Sequence, residues 1–344
     1  RFNDAGTSVG DEFLVNTETN LDQQASATTG LSGGGFVVTW RSDWQDGSGP
    51  GVYGKIYNND GSPDGDEFRI NSTVEASQEE PSVAPLENGG FVVTWTDRSN
   101  SSSEPYSGVY GQIYDSEGSQ QGGELHINTQ TDGFQEQSCV TGLSNGGFIV
   151  VWSSSHDADG DGKGIFGQLF DNSGSPQGSE FQVNTFTQNG QEHPSVTSLP
   201  DGGFVVTWQS SGQDGSDQGI YGQRYDAAGS ALGPEFQVNT YTSNEQSEPH
   251  VISWPATLSQ VVDTPNEPPV ADDSVTFTMA EDGTLLISEA DLLGSSSDPD
   301  NDALHIENLE LGAGASGTLT LDDESAAEGT RTWTYVPVGD FNGS

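Results

Sequence analysis

The sequence predicts an all-β protein, a repeat-built β-propeller of about five four-stranded blades followed by a small β-sandwich. Two observations carry the first part. Asn16, Asn71, Asn128, Asn184 and Asn239 each close an E-F-x-V-N-like segment, at spacings of 55, 57, 56 and 55 residues. Trp40, Trp95, Trp152 and Trp208 close G-G-F-V-V-T-W-like segments with the same 55, 57 and 56. A period of this size, with four short β-rich runs per unit and no helical periodicity, fits a propeller blade better than a solenoid coil. The second part rests on short apolar alternations near the C-terminus, at Val275-Thr276-Phe277, Leu285-Leu286-Ile287, Leu319-Thr320-Leu321 and Trp333-Thr334-Tyr335.

Within one unit the elements follow in order. The segment Glu235-Phe236-Gln237-Val238 opens a unit. Ser195-Val196-Thr197 precedes a turn and Phe204 to Trp208 follows it. Asp201-Gly202-Gly203 between two β-rich runs is a hairpin signal, because Gly reaches positive φ without steric cost. Ile220 to Tyr225 completes the four, and Gly54, Gly111, Gly167 and Gly222 mark that strand. A Gln lies seven residues past each Asn, at Gln23, Gln78, Gln135, Gln191 and Gln246. A fifth unit begins with His250-Val251-Ile252 but lacks its last strand, and Arg1-Phe2-Asn3-Asp4 matches the missing piece. Terminal strands that share one blade would hide two sheet edges at once. The repeats are assigned to residues 1–263, a Pro-rich linker to 264–271 and the sandwich to 272–344. The chain opens at Arg1 inside one pattern and stops at Ser344 inside another, so it reads as part of a longer protein.

Charge excludes whole classes of function. There are 53 Asp+Glu against 8 Lys+Arg, a formal net charge of -45. Nucleic-acid binding needs basic stripes that are absent, and anionic membrane surfaces repel such a chain. No run of 18 apolar residues exists, so no helical membrane insertion is expected. The single Cys139 sits in a strand pattern and reads as a buried small hydrophobe rather than a redox or zinc group. The five histidines show no metal-ligand spacing, and no nucleophile elbow or phosphate loop is present. The chain is therefore expected not to be an enzyme, although 53 carboxylates leave room for a hidden acid pair.

Cations are the natural partners of this surface. Asp157, Asp159 and Asp161 have the D-x-D-x-D-G spacing of a calcium loop, in which oxygens two residues apart wrap one ion. Gln168 stands where an EF-hand would place its Glu, so the loop is either a partial Ca²⁺ site or a solvated acidic turn. In the second module Asp298, Asp300 and Asp302 repeat the spacing. In a meander the loops holding the repeated Gln and the acidic Gly-rich loops share one face, where binding residues usually lie. Trp44 and Tyr106 belong to loops of that face and are candidates for stacking on a ligand. The repeated Gln is expected to tie its loop to backbone, and the repeated Trp to be core.

The run Asn266-Glu267-Pro268-Pro269-Val270-Ala271-Asp272-Asp273, then Glu281-Asp282-Gly283, Asp291-Leu292-Leu293, Asp298 to Asp302 and Phe341-Asn342-Gly343, resembles the bacterial cadherin-like (tandem-95, VCBS-related) domain. That resemblance implies an Ig-like sandwich in large secreted adhesins, with Ca²⁺ held by Glu281, Asp298, Asp300 and Asp302. Residues 1–263 are similar to repeats of giant RTX-type calcium-binding exoproteins, which implies type I secretion and an extracellular or cell-surface location. The combined expectation is a non-catalytic binding or spacer module of a calcium-dependent adhesin, with a cell-surface glycan or protein and neighbouring domains as partners. The alternatives are a purely structural stalk and a carbohydrate-active enzyme.

Overall fold

The computed structural model describes residues 7–99, 105–155, 162–215, 217–242, 244–252, 285–288, 317–322 and 332–337. The chain divides into two compact units, Arg1–Ser253 and Trp254–Ser344. In the first, sixteen strands form four antiparallel four-stranded meanders, each paired in chain order. Sheet one holds β1 (Gln23–Gly30), β2 (Phe36–Asp43), β3 (Pro50–Tyr57) and β4 (Phe68–Arg69). Sheet two holds β5 (Gln78–Pro85), β6 (Phe91–Asp97), β7 (Gly108–Tyr114) and β8 (Gln120–His126). Sheet three holds β9 (Gln135–Gly142), β10 (Phe148–Ser154), β11 (Gly164–Phe170) and β12 (Pro176–Gln182). Sheet four holds β13 (Gln191–Ser198), β14 (Phe204–Ser211), β15 (Gln218–Tyr225) and β16 (Phe236–Gln237). No helix occurs among the described residues, and so none there is long and apolar enough to cross a membrane.

The architecture is the expected β-propeller, with one change of phase. The E-F-x-x-N segment does not open a blade; it closes the preceding one as its outermost strand. The reason is local packing. Tyr221 and Gly222 pair with Gln237 and Phe236, and a Cβ on Gly222 would stand 2.9 Å from Phe236 Cζ. The repeated Gly thus lets the outer ring lie flat on the third strand. A second glycine fixes the inner hairpin: a Cβ at Gly147 would lie 2.2 Å from the Phe170 carbonyl oxygen.

Strands β1, β5, β9 and β13 pack beside one another in that order and form the inner wall. A separate apolar core fills each junction. Val37, Ile56, Ile70, Val93 and Trp95 join sheets one and two. Val92, Ile127, Val140 and Trp152 join sheets two and three, and Val151, Ile165, Val196 and Trp208 join three and four. Trp95, Trp152 and Trp208 are fully buried and Trp40 nearly so, so the repeated Trp is core. Cys139 is half-buried against the last of these cores, and burial pushes its thiol up. A polar clasp repeats as well: Glu180 accepts from the Thr129 backbone and hydroxyl, and Glu235 does the same for Thr185.

Residues 246–252 continue the inner wall without forming a strand. Val251 N–H donates to Ser195 Oγ at 3.1 Å, as Val140 N–H does to Ser82 Oγ at 3.2 Å. The closing pieces expected at Arg1 to Asp4 and beyond Ile252 lie outside the described residues. In the second unit the described part is one antiparallel sheet, β17 (Leu285–Ser288), β19 (Thr332–Pro337) and β18 (Gly317–Leu321) in spatial order. Three of the four expected alternations coincide with these strands.

Candidate functional site

Each blade sends two loops to the same end, one before its inner strand and one between its second and third strands. The first is fixed by a repeated amide clamp. Asn184 Oδ1 accepts from Ile165 N–H at 2.7 Å, and its Nδ2 donates to Gln191 Oε1 at 3.0 Å. Gln191 Nε2 then donates to the carbonyl of Gln188 at 2.9 Å. Asn71 and Gln78 repeat the arrangement, as do Asn239 and Gln246 in part. The repeated Gln is therefore a loop tie, fully buried at Gln78, Gln135 and Gln191.

Just past this tie every inner strand bulges. The pairing register slips between Gln24 and Ala27, Glu79 and Ser82, Glu136 and Cys139, and Glu192 and Ser195. At the bulge sits a non-glycine residue in the left-handed region: Ala25 (φ 50°), Glu80 (φ 55°), Gln137 (φ 58°) and His193 (φ 53°), with Glu248 (φ 54°) at the fifth position. Each such conformation costs about 1–3 kcal/mol, and bulges of this kind re-aim side chains where function needs them. Because the inner strands adjoin, these positions neighbour one another at the loop end of the axis.

Hydrogen bonds link them across blades. Gln137 N–H donates to Glu80 Oε2 at 3.0 Å, and Thr96 Oγ1 donates to the same oxygen at 3.0 Å. His193 N–H donates to Gln137 Oε1 at 3.2 Å, while the Gln137 amide nitrogen lies 3.3 and 3.4 Å from the two His193 ring nitrogens. Glu248 N–H donates to Gln209 Oε1 at 3.1 Å. Outside this ring runs an ion-pair ladder. Arg41 pairs with Asp43 (3.0 Å) and Glu79 (3.9 Å), and Arg98 with Glu79 (3.7 Å) and Glu136 (2.5 Å). Lys163 pairs with Glu136 (3.7 Å) and Glu192 (2.9 Å). Burial alone would push the Lys163 ammonium down, but Glu192 and Glu136 outweigh it and hold the pKa above its usual value. Three of the chain's eight basic residues are spent on this rim, already matched by carboxylates.

The structure places Trp44 in the β2–β3 loop, largely exposed at 61%, and Tyr106 in the β6–β7 loop, 42% exposed and edge-on to Phe134. They belong to different blades of the same face. Asp157, Asp159, Asp161, Glu281, Asp298, Asp300 and Asp302 lie outside the described residues. Among the described residues no group of three or more His, Cys, Asp or Glu side chains could hold a metal ion. The axial ring is absent from the sequence-level candidates. The repeated Gln-Glu pair is visible there, and the signal lay one residue further on, where a constant frame carries a different residue in every unit.

A family profile described as a cadherin-like domain matches residues 265–344. No curated protein matches the chain. Among solved structures, the endo-arabinase of Bacteroides thetaiotaomicron VPI-5482 is 13% identical, with 97% of this chain and 100% of that one covered and a TM-score of 0.43. The α-L-arabinanase of Penicillium chrysogenum is 14% identical over 67% of this chain and 70% of that one, at a TM-score of 0.46. The GH93 α-L-arabinofuranosidase of Fusarium graminearum is 12% identical over 65% and 69%, also at 0.46. The expectations of a non-catalytic adhesin module and of no enzyme are corrected on this comparison, since the neighbouring structures are named as carbohydrate-cleaving enzymes. At such identities the likeness concerns fold, and the chemistry has to be read from the chain's own side chains.

Proposed function

We propose that the propeller is a carbohydrate-active enzyme module that hydrolyses a neutral glycan at the loop end of its axis. One observation carries the reading. Residues with a structural task are repeated from blade to blade: the Asn, the Gln, the Trp and the Gly. The strained axial position is not, and reads Ala25, Glu80, Gln137, His193, Glu248. A spacer has no use for such variation, whereas two carboxylates flanked by an imidazole and an amide are the groups glycoside hydrolysis uses. Glu80, fixed by two donors, suits the carboxylate that acts as base or nucleophile. Glu248 suits the proton donor. In a ring closed in chain order the two stand on either side of Ala25, whose short side chain leaves room for a sugar. Gln137 and His193 supply donors and acceptors for hydroxyl groups. The net charge and the matched cations of the rim favour an uncharged substrate.

The same reading puts the chain outside the cell, as a piece of an RTX-type secreted protein related to the VCBS group, with the cadherin-like segment as its neighbour. Ca²⁺ at Asp157, Asp159 and Asp161, and at Glu281, Asp298, Asp300 and Asp302, is part of the proposal; it rests on spacing for the aspartates and on the cadherin-like resemblance for Glu281. The test is release of reducing ends from a panel of neutral plant and marine polysaccharides, arabinan included, by the full chain in millimolar CaCl₂, in EDTA and in NaCl of matched ionic strength. The expected result is cleavage of at least one neutral polymer, with a higher unfolding midpoint in CaCl₂ than in matched NaCl. No cleavage of any polymer would remove the enzymatic reading, and equal midpoints would remove the calcium sites.

A further inference from the structure

Repeat symmetry breaks a second time on the loop face, and this break is aromatic. The residue before the repeated Gln is Asp22, Ser77, Gly190 or Glu245 in four units but Phe134 in the remaining one. The residue two places before the Gly at the start of the third strand (Gly51, Gly108, Gly164 or Gly219) is Gly49, Gly162 or Asp217 in three units but Tyr106 in the other. The two exceptions meet. Tyr106 comes from sheet two and Phe134 from the loop leading into sheet three, with ring centroids 5.3 Å apart at 65°. Both stay largely in solvent, at 42% and 44% exposure.

The pair is held in place before any ligand arrives. Phe134 N–H donates to Ser155 Oγ at 2.7 Å, and Ser155 N–H returns a bond to the Phe134 carbonyl at 2.8 Å. Gln135 N–H donates to the Ser107 carbonyl at 3.2 Å and ties one loop to the other. Polar groups stand alongside: Glu136, two residues past Phe134, accepts from Arg98, and Ser107 Oγ lies 3.4 Å from the same carboxylate. A fixed apolar face beside a guanidinium and a carboxylate matches a sugar ring, which has one face of C–H groups and an edge of hydroxyls. Phe134 is three residues from Gln137 of the axial ring, so their Cα atoms are at most about 11 Å apart. That is within reach of a short oligosaccharide.

We propose that Tyr106 and Phe134 form a stacking subsite for one ring of a neutral oligosaccharide whose scissile linkage lies over the axial ring, with Arg98 and Glu136 binding hydroxyls of that ring. The substrate class is thereby an oligomer or polymer rather than a single glycoside. This inference rests on the hydrolase reading for the position of the scissile bond, but the subsite is a binding claim of its own.

The experiment is calorimetric binding of α-1,5-arabinohexaose, β-1,4-xylohexaose and cellohexaose to the full chain, alongside Tyr106→Ala, Phe134→Ala and Tyr106→Phe. At least one hexasaccharide should bind the parent chain. Each alanine variant should weaken that binding about tenfold, and Tyr106→Phe, which keeps the ring, should stay within about twofold. The unfolding midpoint, which should not move for side chains this exposed, separates lost stacking from lost folding. Binding to both alanine variants at parental affinity, or no binding of any hexasaccharide to the parent, would overturn the subsite. Ring-dependent binding without cleavage would leave the subsite standing and defeat only the hydrolase reading.

Discussion

Glu80→Gln should lower turnover of the cleaved glycan about 10²- to 10⁴-fold while leaving the unfolding midpoint within a few degrees of the parent. The substitution is nearly isosteric. Glu80 Oε2 acts as acceptor for Gln137 N–H and Thr96 Oγ1, and a glutamine carbonyl oxygen can accept both bonds. What it cannot do is accept a proton or attack a sugar carbon, so the chemical step is lost and the scaffold is kept. Glu248→Gln should show a similar fall. Glu87→Gln, in the hairpin at the opposite end of the inner wall beside the cavity of 370 Å³ lined by Leu31, Leu86, Leu143 and Leu199, should change nothing. A steady-state assay over all three variants reads the prediction, and equal loss in Glu87→Gln would mean that charge alone is being sensed.

Trp152→Ala should cost about 3–5 kcal/mol, the largest stability effect of any single replacement considered for the propeller. Trp152 is fully buried in the core between sheets two and three, with Phe148, Val150, Phe166 and Val140 in the same cluster. Its indole N–H donates to Gln135 Oε1 at 3.0 Å. Removing the ring therefore opens a cavity and strips a donor from a buried loop tie, and both costs fall on the same junction. Trp44→Ala, at the exposed loop position, should lie within about 0.5 kcal/mol of the parent. Urea unfolding with an unchanged slope reads both. A loss below 1 kcal/mol for Trp152→Ala would contradict the assignment of the repeated Trp to the core.

The all-β repeat architecture was legible because its causes are periodic. A Trp that fills a junction, a Gly under an apolar side chain of the closing segment and an Asn–Gln clamp are needed once per blade, so they recur at 55 to 57 residues. The phase of the blade was not legible. Glu235-Phe236 looks like the start of a unit in one dimension, and only its pairing with Gly222 and Tyr221 shows it to be an end. The axial site escaped for a related reason. Repeats draw attention to what is constant, whereas Glu80, Gln137 and His193 differ from one another and gain meaning only when bulges bring them to one end of the axis. Tyr106 was recognisable as a loop aromatic, but its neighbour Phe134 comes from the next blade and no local pattern joins them. The acidic motifs drew attention to calcium because spacing by two is a strong sequence signal. The strained carboxylates of the inner wall carry no such spacing.

The central claim is that the loop end of the propeller axis is where this chain meets a glycan. The most direct test is a crystal structure of the Glu80→Gln variant of the full chain grown with the hexasaccharide that binds most tightly. The account predicts sugar density over the ring of Ala25, Gln137, His193 and Glu248, extending toward Tyr106 and Phe134. Sugar bound instead in the cavity among the hairpins at the opposite end, or on the outer strands, would contradict it.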